Sequence, residues 1–256
     1  MRLFALSDPH LSFGTPDKLM DRFGPHWVGH AAKIERAWRE RVAATDVVLV
    51  PGDISWAMSL EQAKPDLDFL ARLPGTKVLG KGNHDYWWST ITKLRAALPP
   101  GMHALQGDAI RIGDVAIGGT RLWDVPGVSF RDAIEWQPMA GGGKPISAEP
   151  SESAAAETQR LFERELGRLE RSLESLAEIA GDSALPICAT HYPPCGGDLA
   201  STPATRAIEQ SGARHAVFGH LHSLKRAPLF GTREGVTYTL AACDWIDFAP
   251  IVIAEV

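Results

Sequence analysis

Five of the nine histidines in this chain stand where a short apolar run has just stopped, and acidic or amide side chains share those positions. Asp8 and His10 follow the run Arg2 to Leu6; Asp53 follows Asp46 to Val50 through Pro51-Gly52; and Asn83-His84-Asp85 follow Lys77 to Leu79. Further on, His191 closes Pro186 to Thr190, and Gly219-His220-Leu221-His222 follow Ala216 to Phe218. Each alone has a dull account as a turn carboxylate, a cap or a surface imidazole. Together they offer oxygen and nitrogen donors with no thiolate, a set that suits divalent first-row ions rather than a structural zinc site. Seven of them, Asp8, His10, Asp53, Asn83, His191, His220 and His222, are too many for one tetrahedral ion and suit two ions that share a bridge. Two ions about 3.5–4 Å apart clamp the attacking and leaving oxygens of an in-line displacement at phosphorus. Hydrolysis of a phosphate ester is the chemistry this set implies.

The elements that must position these side chains are short strands alternating with helices. Ile34, Trp38 and Val42 recur at helical spacing and predict a helix over Ala31 to Ala44; a second is expected over Leu60 to Leu73, started or kinked by Pro65. Three early strands each end in a polar loop, the α/β pattern in which ligands bind at the carboxyl ends of strands. After a helix over Thr90 to Leu98 the rhythm changes. His103 to Gln106, Ala109 to Ile112 and Val115 to Gly119 predict a local antiparallel meander. Asp124 to Pro150 is irregular; its Gly141-Gly142-Gly143-Lys144 lacks the upstream Gly and following Ser or Thr of a phosphate-binding loop. The clearest helix is Ala155 to Ala180, where Phe162, Leu166, Leu169, Leu173, Leu176 and Ala180 make one apolar stripe. A helix near Pro203 to Gln210 and strands at Tyr238 to Ala242 and Ile251 to Ala254 complete the chain.

Bulk properties narrow the class. At 256 residues the chain can bury a core without disulfides, and a formal net charge of -5 argues against nucleic acid or an anionic membrane as partner. A small phosphorylated substrate is compatible with that charge, because a local metal site overrides the global sign. No segment reaches the roughly 18 apolar residues of a membrane span, and the first apolar run is too short for a signal peptide, so a cytoplasmic location is expected. Cys188, Cys195 and Cys243 show no Cys-x-x-Cys spacing and read as reduced bystanders.

Asp8-x-His10, Gly52-Asp53, Gly82-Asn83-His84-Asp85, His191 and Gly219-His220-x-His222, in this order, resemble the five-block signature of the calcineurin-like metallophosphoesterases. The blocks span residues 8 to 222, and the likeness is closest to the small bacterial single-domain phosphohydrolases of that superfamily. The resemblance implies an α/β (α+β) fold, a four-layer sandwich of two mixed β-sheets flanked by helices, formed by one domain over 1–256 with a loop and long-helix insertion at about 124–181. It implies two divalent ions, manganese, iron or zinc. Asp8, His10 and His222 would hold the first, Asp53 would bridge, and Asn83, His191 and His220 would hold the second. His84 would be the unliganded histidine beside the phosphate, stabilising the transition state or protonating the leaving oxygen, with Asp85 orienting its ring. An imidazole with an ordinary pKa of about 6.5 suits proton delivery to a departing oxygen.

Around this set, Tyr86 follows the third loop and is a candidate to stack on a leaving group, with core packing as the competing account for it and for Trp87 and Trp88. Arg121, at the end of a strand, is a candidate bidentate phosphate ligand against a plain surface ion pair, and Tyr192 adjoins His191. A metal-binding scaffold without catalysis is the alternative function. Such a scaffold is expected to have lost ligands or the catalytic histidine, and here all are present.

Overall fold

The computed structural model describes residues 1–135, 151–225 and 229–256. Gly141-Gly142-Gly143-Lys144 lies outside the described residues, as does most of the irregular stretch around it. The first sheet is built from Arg2–Ala5 (β1), Val47–Val50 (β2), Thr76–Leu79 (β3), Met102–Ala104 (β4) and the last strand of the chain. Between them lie the helices His30–Arg41 (α1), Leu60–Ala71 (α2) and Ile91–Ala97 (α3). Ala109–Ile112 (β5) and Val115–Thr120 (β6) begin the second sheet, and Glu152–Ala180 (α4), Leu185–Thr190 (β7), Pro203–Gln210 (α5) and His215–Phe218 (β8) follow. Gly231–Arg233 (β9), Val236–Leu240 (β10) and Ile251–Glu255 (β11) end the chain. The strand orders are β11-β1-β2-β3-β4 and β5-β6-β7-β8-β10-β9.

Alternation along each strand divides three cores. Leu3, Ala5, Val47, Leu49 and Val78 face Val115, Ile117, Ile187, Ala189 and Val217 between the sheets. The residues between them point outward: Phe4, Val48, Val50 and Leu79 pack with Ile34, Trp38 and Leu70 of α1 and α2. On the opposite side Ala116, Cys188, Ala216 and Phe218 pack with Phe162, Leu169, Leu173 and Leu176 of α4. Both faces of each sheet are therefore covered, which explains why the strands read as unbroken apolar runs rather than as alternating ones. Two mixed sheets with helices on their outer faces are the sandwich that the resemblance implied.

Two expectations change. The predicted meander is split: β4 pairs in parallel with β3 in the first sheet, and only β5 and β6 form an antiparallel pair, in the second. Short apolar runs separated by Gly-Asp turns look alike whichever sheet accepts them. Second, α4 starts one turn earlier than Ala155, because the Ser151 side chain accepts the Ala154 N–H and caps it. Pro65 lies inside α2, which runs on through it.

β1, β2 and β3 run parallel, as do β6, β7, β8 and β10. The two sheets join at one end, where Ser7 N–H donates to Ala241 O at 2.7 Å and Cys243 N–H donates to Ser7 O at 2.9 Å. The carboxyl ends of both sets of strands consequently open onto one rim.

Candidate metal centre

Five loops meet on that rim, and their backbone is bent to do so. Asp8, His10, Asp53 and His220 all have left-handed φ, at +59°, +43°, +50° and +72°. Left-handed backbone in residues other than glycine costs on the order of 1–3 kcal/mol each and persists only where the surroundings impose it. Close approach demands glycine at two neighbouring points. A Cβ on Gly82 would lie 2.0 Å from Asp53 Oδ1, and one on Gly219 would lie 2.1 Å from Asp8 Oδ2.

The side chains so placed form two overlapping groups of ligand atoms. In one, His10 Nε2 lies 3.3 Å from His222 Nε2, and His222 Nε2 lies 3.6 Å from Asp8 Oδ1. In the other, His191 Nε2 lies 3.5 Å from Asp53 Oδ2, and His191 Nδ1 lies 3.9 Å from Asp8 Oδ1. Within each group, Asp8 with His10 and His222, and Asp8 with Asp53 and His191, one donor atom per residue lies within 4.8 Å of the others. Asp8 belongs to both groups, and Asp53 of the second also approaches the first, with His10 Nε2 3.7 Å from Asp53 Oδ2. Asn83 Oδ1 completes the second, 2.8 Å from His191 Nε2 and 3.0 Å from His220 Nδ1.

The far nitrogens fix the tautomers. His191 Nδ1 lies 3.1 Å from Pro51 O, which can only accept, so that nitrogen carries the hydrogen and Nε2 points at the oxygens of Asn83 and Asp53. His222 Nδ1 is held in the same way, 2.8 Å from Asp244 Oδ1. Lone pairs and carboxylate oxygens thus converge on common points, and positive charge is what such points attract. The titration directions agree. Burial raises the Asp53 carboxyl, but His191 and His10 outweigh it and hold it well below the usual range. Burial opposes charge on His191, yet Asp53 dominates and lifts it to about 9. Asp244 and Asp8 overcome burial in the same way to lift His222. By contrast, burial pushes His10 down to about 4 and His220 to about 3, leaving these rings neutral, the form in which imidazole binds metal. The residues present fit a divalent cation.

Five other residues bear on the candidate roles. The His84 N–H donates to Asp53 Oδ1 at 2.8 Å, and its ring lies 4.6 Å from Trp56 and 5.7 Å from His10, centroid to centroid. Asp85 does not orient that ring. Its carboxylate accepts from the backbone N–H groups of Gly82, Ile54 and Ser55 and from the Trp87 indole, so it clamps the loop instead. Burial, with the Asp53 charge nearby, raises its carboxyl to about 6. Tyr86 is 60% exposed beside His84, whereas Trp87 and Trp88 are core. Tyr192 is buried, its ring 4.0 Å from that of His220. Arg121 pairs with Glu165 at 3.5 Å and lies 4.7 Å above the Trp123 ring.

Asp244 and Trp56 are the functional candidates that sequence reasoning missed. Asp244 follows the apolar run Tyr238 to Ala242, the same signal that marked Asp8 and Asp53. Trp56, stacked 5.0 Å from His10 at 21°, carried no signal beyond its type.

A family model, calcineurin-like phosphoesterase, matches residues 1–224 of the 256, and the chain belongs to that family. No match was found among curated proteins. Among solved structures, a protein of unknown function from Aquifex aeolicus aligns over 98% of this chain and 95% of its own, at 15% identity and a TM-score of 0.46. The phosphopantetheinyl hydrolase of Mycobacterium tuberculosis aligns over 99% and 96%, at 16% identity and a TM-score of 0.47. Among the described residues no helix is long and apolar enough to cross a membrane.

Proposed function

We propose that this chain hydrolyses a phosphate mono- or diester of a small phosphorylated molecule at a two-ion centre, with manganese, iron or zinc as the candidate ions. Asp8, His10 and His222 would hold one ion, Asn83, His191 and His220 would hold the other, and Asp53 would be shared between them. When bound, such a pair supplies Lewis acidity and lowers the pKa of water toward neutrality. The observation that carries this reading is the convergence of ring nitrogens and an amide oxygen on the same points: His10 Nε2 and His222 Nε2 at 3.3 Å, and His191 Nε2 on Asn83 Oδ1 at 2.8 Å.

The protein's own groups divide the remaining work. Pro51 O and Asp244 turn the rings of His191 and His222 so that Nε2 faces the centre. Asp53 holds the His84 backbone through its N–H, which keeps that imidazole at the edge of the cluster while Trp56 backs the ring. His84 is unengaged as a ligand in this assignment and is placed to give a proton to the departing ester oxygen.

The test is turnover of para-nitrophenyl phosphate and bis-para-nitrophenyl phosphate by purified protein supplied with Mn²⁺. His84→Ala should keep its metal and lose at least about a hundredfold in rate, the typical contribution of positioned acid catalysis. Wild-type rate in that variant would remove the role given to His84. No turnover with any ion would leave the inactive metal-binding scaffold as the reading.

A further inference from the structure

We propose that Lys81, Arg121 and Arg168 form a subsite for a second phosphate of the substrate, so that the preferred esters carry another phosphate beyond the scissile one. This rests on the phosphoesterase reading above and adds the class of substrate to it.

The cluster is basic against the trend of the chain, whose formal net charge is -5. Glu165 is buried on α4, and a single oxygen of it, Oε1, meets three guanidinium groups: Arg168 at 2.8 Å, Arg164 at 3.2 Å and Arg121 at 3.5 Å. Its other oxygen lies 3.4 Å from the Thr120 hydroxyl. One carboxylate cannot neutralise three guanidinium groups, and a fourth cation, Lys81, sits within electrostatic reach of Arg121, Arg168 and Glu165. Asp85, the other carboxylate acting on Lys81, is occupied by four N–H donors. Those neutral donors leave Asp85 its charge, so with Asp124, which acts on the neighbouring Tyr192, four cations face three carboxylates among the described residues.

The position is as informative as the charge. Lys81 lies in the loop that carries Asn83, and with Thr120 and His191 it lines one small cavity. The Arg121 carbonyl accepts the N–H groups of His191 and Tyr192 at 3.1 and 3.0 Å. Its guanidinium lies over Trp123; the Trp123 ring meets Tyr192 at 5.0 Å, and Tyr192 meets His220 at 4.0 Å. An aromatic wall therefore runs unbroken from the metal ligands to the cations. The Arg121 side chain is 20% exposed and that of Arg168 43%, so both reach solvent while anchored through Glu165. Guanidinium forks held on a rigid support match the oxygens of a phosphate.

The experiment is calorimetric binding of thymidine 5′-phosphate and thymidine 3′,5′-bisphosphate to the Mn²⁺-loaded protein. The bisphosphate should bind about tenfold more tightly or better, the scale of one to two added charge-assisted hydrogen bonds. In the double variant Lys81→Gln with Arg121→Gln that ratio should fall below about twofold, and Arg168→Gln, a change at the exposed helix surface, should lower it part of the way. Equal binding of the two nucleotides to the wild type, or a ratio unchanged in both variants, would overturn the subsite. Turnover of bis-para-nitrophenyl phosphate is measured in parallel. Its absence would defeat the phosphoesterase reading, while the binding ratio still decides the subsite.

Discussion

The two sheets contribute unlike halves to the centre. Of the proposed ligand set, the first sheet supplies the oxygens, Asp8, Asp53 and Asn83, and the second supplies three of the four imidazoles, His191, His220 and His222. The oxygens are positioned by backbone: left-handed φ at Asp8 and Asp53, a glycine pressed against each carboxylate, and buried carboxylates that tie the loops down. Asp85 joins the loops after β2 and β3, and Asp66 accepts from the Ser55 hydroxyl and the Phe13 N–H, joining α2 to the loops after β1 and β2. On the imidazole side His191 and His222 are positioned by their far nitrogens, through Pro51 O and Asp244. A short carboxylate reaches little beyond its main chain, so the backbone largely sets where it lies, whereas a longer ring can be turned by one hydrogen bond at its back.

Breaking the loop clamp should have the largest effect. Asp85→Ala leaves four donors, three of them backbone N–H groups in a buried loop, without their acceptor. At about 1–3 kcal/mol for each buried group left unsatisfied, a loss of at least about 3 kcal/mol in unfolding free energy is expected. Urea denaturation of the two proteins measures it; a loss below about 1 kcal/mol would mean that the clamp does little. The imidazole side should yield more gently. Asp244→Ala removes the acceptor behind His222 and the partner of the Ser223 N–H, so metal affinity should drop about 10–100-fold. Titration with Mn²⁺ reads that change, and an unchanged affinity would show that His222 is oriented by packing alone.

Much of this was legible in the sequence because the same signal repeats: an apolar run, then a turn residue, then a ligand type. The run marks a strand buried on both faces, and the break marks the rim. What stayed hidden depends on pairings across the chain. β4 and β5 are similar short runs, and nothing local says that one joins Leu79 and the other joins Gly118. Asp85 sits beside His84 in sequence, which suggested a pair, yet its carboxylate reaches Ile54 and Ser55, some thirty residues back. Asp244 gains meaning only from His222, and Trp56 only from His10 and His84. The stripe on α4 announced a buried face, but the buried Glu165 and Ser172 within it did not follow from periodicity. Ser172 accepts the Gly119 N–H and donates to Asp108 O, and Glu165 gathers arginines.

The central claim, two ions bridged by Asp53, is tested most directly by counting metal. Protein purified without chelator, loaded with Mn²⁺ and freed of excess should carry two ions per chain by elemental analysis, and Asp53→Ala should lose most of that metal while remaining folded. A wild-type protein that retains no ion, or a metal content that Asp53→Ala leaves unchanged, would contradict the account.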